Sequence, residues 1–139
     1  MPKLLLDALR FLEAEMAPAL EDRGASELTP SQARALLLVD RTGTRLTELA
    51  RRAGVTKQAM MQLVDDLQAM SCVRRTPDPE DARAKVVRLT AKGLRQRARA
   101  RKALQTVESR LKRRLGQRRY EGLRLALEDV PAQAEEEEE

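Results

Sequence analysis

Apolar side chains recur at Leu5, Leu9, Leu12, Met16 and Leu20, in steps of three and four. That spacing predicts an amphipathic helix over residues 3–21. Leu4, Leu6, Ala8 and Phe11 widen its apolar face beyond the needs of one packing partner, which marks the helix as a subunit contact. Thr29-Pro30-Ser31-Gln32 then opens a second helix. The threonine caps, the proline suits the first helical position, and the glutamine completes a capping box. This helix is expected to run to about Asp40, with Ala33, Leu36, Leu37 and Val39 as its apolar positions, before a turn at Arg41-Thr42-Gly43-Thr44. Thr47 is expected to cap a short helix, Glu48 to Ala53, that Gly54 ends, and Thr56 to cap a longer one, Lys57 to about Met70. Met60, Leu63, Val64 and Leu67 form the inner face of that longer helix. The turn between the two leaves room only for helices packed at a steep angle, a helix-turn-helix.

The period then changes. Cys72-Val73-Arg74-Arg75-Thr76 and the β-branched Lys85-Val86-Val87-Arg88-Leu89 read as two strands. The prolines and carboxylates of Pro77-Asp78-Pro79-Glu80-Asp81-Ala82-Arg83 make a loop between them. The pair is a hairpin with an arginine near its tip, a wing. Thr90 caps a long helix from about Ala91 to Leu115, whose predicted stripe is Leu94, Ala98, Leu104, Val107, Leu111 and Leu115. Gly116 breaks it. A last helix from about Arg118 to Glu128 carries Tyr120, Leu123, Ala126 and Leu127, Pro131 is expected to end order, and Glu135–Glu139 to be a solvated tail. The fold class is therefore mostly α with a small β-hairpin wing: a winged helix-turn-helix over about 29–90, and a helical dimerisation region over about 3–22 and 91–130. All of it reads as one domain, residues 1–139, with an acidic tail from 131.

Charge sharpens this reading. The formal net charge is +5, unevenly spread: residues 91–127 carry 13 basic and 2 acidic side chains, and residues 128–139 carry 7 acidic and no basic ones. A basic body suggests a polyanionic partner, nucleic acid above all. The charges of the basic stretch from Arg95 to Arg119, over the long helix and the start of the last one, are expected to form a solvated face. Phe11 and Tyr120 are the only aromatics, so aliphatic residues must build the core. No apolar run approaches the ~20 residues of a membrane span, so no membrane role is expected. The N-terminal leucines are interrupted by Asp7, Arg10 and Glu13, unlike a signal peptide. The single cysteine, Cys72, fits a reducing cytoplasm and reads as a small buried hydrophobe. There is no histidine, phosphate-binding glycine loop, nucleophile elbow or metal-spaced cluster, so neither an enzyme nor a cofactor is expected.

Four stretches together carry a resemblance: Leu46-Thr47-Glu48-Leu49-Ala50, Gly54-Val55-Thr56, Leu63-Val64-Asp65-Asp66-Leu67, and Pro77-Asp78-Pro79-Glu80-Asp81-Ala82-Arg83 followed by Val87-Arg88-Leu89-Thr90-Ala91-Lys92-Gly93. With the order helix, helix, helix-turn-helix, wing, long helix, short helix, the chain resembles the MarR family of multiple-antibiotic-resistance regulators. The match is strong over residues 29–93. It implies a homodimer paired through its first and last two helices, and a small-molecule effector of unidentified chemistry held between the DNA-binding and dimerisation parts. The family often has glycine after the recognition helix, where this chain has Ser71; a left-handed turn there would strain a serine, which predicts a differently shaped junction.

Double-stranded DNA is the expected partner. Lys57, Gln58, Met61 and Gln62 lie opposite the inner face of the recognition helix and are the candidates for base contacts. Arg83 is the candidate for a minor groove, with Asp81 bracing an arginine. Thr56, Arg45, Arg74, Arg75 and Lys85 are candidate phosphate contacts, as are Arg51, Arg52 and Arg88. Leu5, Leu9, Leu12, Leu104, Val107, Leu111, Tyr120, Leu123 and Leu127 are the expected dimer interface. The function so implied is a sequence-specific transcriptional regulator, a repressor on a palindromic operator. The alternatives are a non-specific or architectural nucleic-acid binder, driven by the basic stretch, and a helical protein-interaction module.

Overall fold

The computed structural model describes the backbone of residues 1–137 and the side chains of residues 1–130. The elements are α1 (Pro2–Asp22), α2 (Pro30–Leu38), β1 (Thr44–Arg45), α3 (Leu46–Ala53), α4 (Lys57–Ala69), β2 (Val73–Pro77), β3 (Lys85–Leu89), α5 (Ala91–Leu115) and α6 (Gln117–Glu137). They fall into two compact units, Met1–Leu104 and Gln105–Glu139. Among the described residues, no helix is long and apolar enough to cross a membrane.

In the first unit the core is aliphatic: Leu20, Leu36, Val39, Leu49, Met60, Val64, Leu67, Val73 and Val87 are buried. Met60, Val64 and Leu67 are the inward positions the α4 spacing predicts, with Leu63 half-buried beside them. The capping box of α2 forms as read: Thr29 Oγ1 accepts the Gln32 N–H, and Gln32 Oε1 accepts the Thr29 N–H. The helix stops at Leu38, two residues early, because Val39 turns extended and buries its branched side chain. Thr47 does not cap α3. The helix begins at Leu46, and its N-cap is Arg45, without a side-chain bond.

The sheet has three strands rather than two, in the order β1-β3-β2, all antiparallel. Thr44 and Arg45 pair with Val87 and Val86. The predicted turn thus ends one residue sooner, since buried Thr44 accepts the Asp40 N–H on its hydroxyl and enters the ladder. Arg88 fixes this corner from β3, donating to the Thr42 carbonyl and to Thr76 Oγ1.

Two junctions hold the wing to the helices. Ser71 follows α4 at φ +62°, so the left-handed turn is kept with serine in it. Its carbonyl accepts the Thr90 hydroxyl at 2.6 Å, and the Cys72 N–H closes on the Leu67 carbonyl. A left-handed non-glycine residue costs on the order of 1 kcal/mol. Ser71→Gly should therefore raise the melting temperature by about 3–5 °C without altering the fold, as thermal denaturation would register. The second junction is Gly93, in the first turn of α5, which lies directly against the Cys72 carbonyl. Thr90 caps this helix, accepting the Gly93 N–H. Cys72 is buried beneath it, and that burial pushes its thiol pKa up.

The packed face of α5 is not the predicted leucine stripe. Gly93, Gln96, Arg97, Ala100 and Ala103 are buried, whereas Leu94 and Leu104 are exposed and Ala98 is on the surface. Reading leucines as the inner face misleads here because the helix lies so close that only small side chains and the stems of Gln96 and Arg97 fit. Arg97 corrects the expectation that all charges of this helix are solvated. Along α1, only Met16, Ala19 and Leu20 are buried, while Leu4, Leu5, Leu6 and Leu9 are exposed and Leu12 is half-buried.

In the second unit, Gly116 at φ +83° ends α5 and α6 follows one residue earlier than expected. Leu123 and Leu127 are exposed, Leu111 and Tyr120 half-buried, and Val107 is 1% exposed. Val107 is therefore a core residue, buried within its own chain, rather than an interface one. The helical backbone of α6 continues past Pro131, where the sequence predicts its end. The side chains of the expected acidic tail, residues 131–139, lie outside the described residues.

Candidate nucleic-acid interface

α3 and α4 meet at a tight turn. Gly54 takes φ +64°, which any side chain would resist, and the Val55 N–H returns to the Ala50 carbonyl. Thr56 then caps α4, its hydroxyl accepting the Ala59 N–H at 3.1 Å. That role engages the Thr56 oxygen and the Ala59 N–H internally; the Lys57 and Gln58 N–H groups lack intrahelical acceptors and remain for an anion. Lys57, Gln58, Met61 and Gln62 all lie exposed, on the side opposite the buried Met60, Val64 and Leu67. Met61 is 42% exposed, a large apolar side chain left in water. Gln62 Nε2 donates to Asp66, so its amide oxygen remains as an acceptor.

The wing is fixed by carboxylates at its base. Asp78 is 8% exposed; it accepts the Glu80 N–H and pairs with Arg45. Those bonds hold its carboxyl below the usual carboxylate range, the Glu80 N–H first and Arg45 second. The Asp78 N–H donates to the Ala84 carbonyl, and the Ala84 N–H to the Asp81 carbonyl. Asp81 touches Arg83 only through its backbone, accepting the Arg83 N–H at 3.0 Å. The carboxylate that braces a guanidinium is thus Asp78, on Arg45. Arg83 is exposed near the wing tip, and among the described residues its guanidinium has no ion-pair partner.

The candidate phosphate contacts divide in two. Arg74 and Lys85 are exposed and make no ion pair among the described residues. Arg75 is occupied: it pairs with Asp65 and donates to Gln68 Oε1 and to the Met61 carbonyl. It bolts β2 to the recognition helix and sets where the wing stands beside it. Sequence reading missed this clamp and the Arg45–Asp78 pair, since nothing local distinguishes a bracing arginine from a free one.

Arg51 and Arg52 are likewise occupied. Glu48 pairs with both, and Arg52 reaches on to Asp40 and to the Leu38 carbonyl, tying α3 to the end of α2. These bonds lower the Glu48 carboxyl from 4.5 to about 2, and Arg52 lowers Asp40 in the same direction. A depressed carboxylate contributes stability above its unfolded value and loses it as pH falls through the folded one. Thermal stability should therefore drop between about pH 5 and pH 2. Glu48→Gln should flatten that acid limb; an acid limb identical to the parent's would show that the network contributes nothing.

A helix-turn-helix with an exposed polar stripe, clamped beside a three-stranded wing that offers a free arginine, defines a winged-helix DNA-binding protein. Residues 26–84 match the model of the MarR family. Three solved structures agree over nearly the whole chain. A probable transcriptional regulator from Pseudomonas aeruginosa superposes with a TM-score of 0.82 at 24% identity, covering 94% of this chain and 96% of that one. The transcriptional repressor CouR, bound to a 23-mer DNA duplex, gives 0.81 at 28% identity, with 94% and 92% covered. CouR bound to p-coumaroyl-CoA gives 0.80 at 27% identity, with 94% and 91% covered. Comparison with curated protein sequences finds no match. The chain is thus similar to the MarR family over residues 26–84, and its fold is that of winged helix-turn-helix transcriptional regulators.

Proposed function

We propose that this DNA-binding regulator is a cytoplasmic homodimeric repressor of a palindromic operator, released by a small-molecule effector. The observation that carries the reading is the α4 stripe: Lys57, Gln58, Met61 and Gln62 stand free of the core beside a wing held in place by Arg75. Lysine reaches guanine or phosphate, glutamine pairs with adenine, and the methionine packs on a thymine methyl. Arg83 enters an adjacent minor groove. Arg74 and Lys85 meet phosphates, adding affinity without sequence information.

Pairing of two copies uses the leucines left in water: Leu5 and Leu9 of α1, Leu104 of α5, and Leu123 and Leu127 of α6. Exposed apolar residues in such number favour burial against a second copy. Two recognition helices related by a two-fold then address half-sites about 10 bp apart, or a near multiple. The repressor CouR, seen bound to a DNA duplex and bound to p-coumaroyl-CoA, supports a repressor that also takes a small molecule.

Titration of the preferred and a scrambled duplex at two salt concentrations tests the reading. It predicts a preference of about 10³-fold or more for the preferred sequence. A steep salt dependence with no preference would instead favour a non-specific binder working through the basic residues 91–127. No binding would favour a protein-interaction module.

A further inference from the structure

The chain has five methionines and one cysteine, and the fold sorts their sulfur atoms by access. Met16, Met60 and Cys72 are buried, and Met70 is half-buried. Burial also pushes the Cys72 thiol pKa up, and the thiolate is the reactive form of a cysteine. Apart from Met1, Met61 is the one methionine exposed to solvent. Met60 and Met61 are neighbours in sequence, yet the turn of α4 sends one thioether into the core, at 0% exposure, and the other into water, at 42%.

The exposed thioether stands on the polar stripe of α4. Lys57 lies four residues before it and Gln58 three, about one turn of the helix, and Gln62 follows it directly. The backbone beneath it is tied down: the Met61 carbonyl accepts from Arg75, the arginine that also holds β2 to α4 through Asp65 and Gln68. Of the four side chains on the stripe, this one alone undergoes oxidation. A leucine would offer DNA the same apolar contact without that chemistry.

We propose that Met61 is an oxidation site on the recognition helix, and that its conversion to methionine sulfoxide by a peroxide releases the protein from its operator. The release rests on the function proposed above; the site itself does not. In the reaction the thioether sulfur attacks one oxygen of hydrogen peroxide with a lone pair, and the S–O bond forms as the O–O bond breaks. Sulfur gives up two electrons, the peroxide takes them, and the proton of the transferred oxygen passes to the departing hydroxide, which leaves as water. An apolar side chain packed on a thymine methyl becomes a polar one with an acceptor oxygen. Against the methyl that oxygen finds no donor, and one turn away it competes with DNA for the Lys57 ammonium. Methionine sulfoxide reductases reverse the change.

Hydrogen peroxide treatment of the full chain, followed by fragment mass mapping, tests the site without DNA. Met61 should take up one oxygen atom while Met16, Met60, Met70 and Cys72 lag behind it. Fluorescence anisotropy on the preferred duplex then tests the consequence. Affinity should fall by at least about tenfold on oxidation, and return after treatment with the reductases and a thiol reductant. The variant M61L has its own baseline affinity, which peroxide should change by less than about twofold. M70L, a volume-conserving exchange off the stripe, should lose affinity on oxidation as the parent does. No oxygen on Met61 when the half-buried or buried methionines have taken it up would overturn the site. Unchanged affinity of the chain oxidised at Met61, or an equal loss in M61L, would overturn the release. Failure of the untreated chain to prefer any duplex would overturn the operator reading and the release with it, while the mass map would still decide the site.

Discussion

Replacing Gln58, Gln62 and Arg83 together by alanine should lower affinity for the preferred operator by about 10³-fold, while affinity for scrambled DNA falls no more than about tenfold. Each good base contact discriminates by about 1–3 kcal/mol, and the two glutamines lie on one exposed stripe of α4. None of the three side chains supports the core. Among the described residues the Gln62 side chain bonds only to its neighbour Asp66, and the Arg83 side chain is exposed. The melting temperature should therefore stay within a few degrees of the parent, which separates lost recognition from lost fold. Fluorescence anisotropy on both duplexes reads the effect. An equal loss on both would mean that these residues touch phosphates only, and an unchanged preference would remove α4 from base recognition.

The second large effect belongs to Gly93. A Cβ added there would stand 1.9 Å from the Cys72 carbonyl oxygen and 2.9 Å from its carbonyl carbon. Both atoms are backbone, in the junction between α4 and β2, so no flexible side chain can swing aside. The same carbonyl accepts the Thr90 N–H, and that bond would be strained along with the contact. Gly93→Ala should cost about 3 kcal/mol or more, a fall of roughly 10 °C in melting temperature. Because this junction seats the wing, weakened operator binding should accompany it. A variant as stable as the parent would mean that α5 can slide away from the wing at little cost. Gly122→Ala, with nothing within 4 Å of the added atom, is the neutral comparison.

Much of the helix-turn-helix was legible in the sequence, because its signals are local. Thr29-Pro30, Gly54 and Thr56 are capping and turn chemistry, and the α4 periodicity is strict. What stayed hidden depends on contacts distant in sequence. β1 forms because Thr44 meets Val87, forty-three positions away by number. Arg75 and Arg45 look like free cations until Asp65 and Asp78 arrive beside them. On α5 Ala100 and Ala103, not Leu94 and Leu104, face inward, since a helix pressed close to its neighbours selects for size before hydrophobicity. Ser71 shows the converse: the sequence implied strain at that position, and the fold accepts it, anchoring the serine carbonyl with the Thr90 hydroxyl.

Selection of bound duplexes from a random pool, using the full-length chain, tests the central claim most directly. The account predicts enrichment of one palindromic sequence whose half-sites lie about 10 bp apart or a near multiple, bound by two copies of the chain. A pool that stays random after successive rounds, or an enriched site without two-fold symmetry that a single copy occupies, would contradict it.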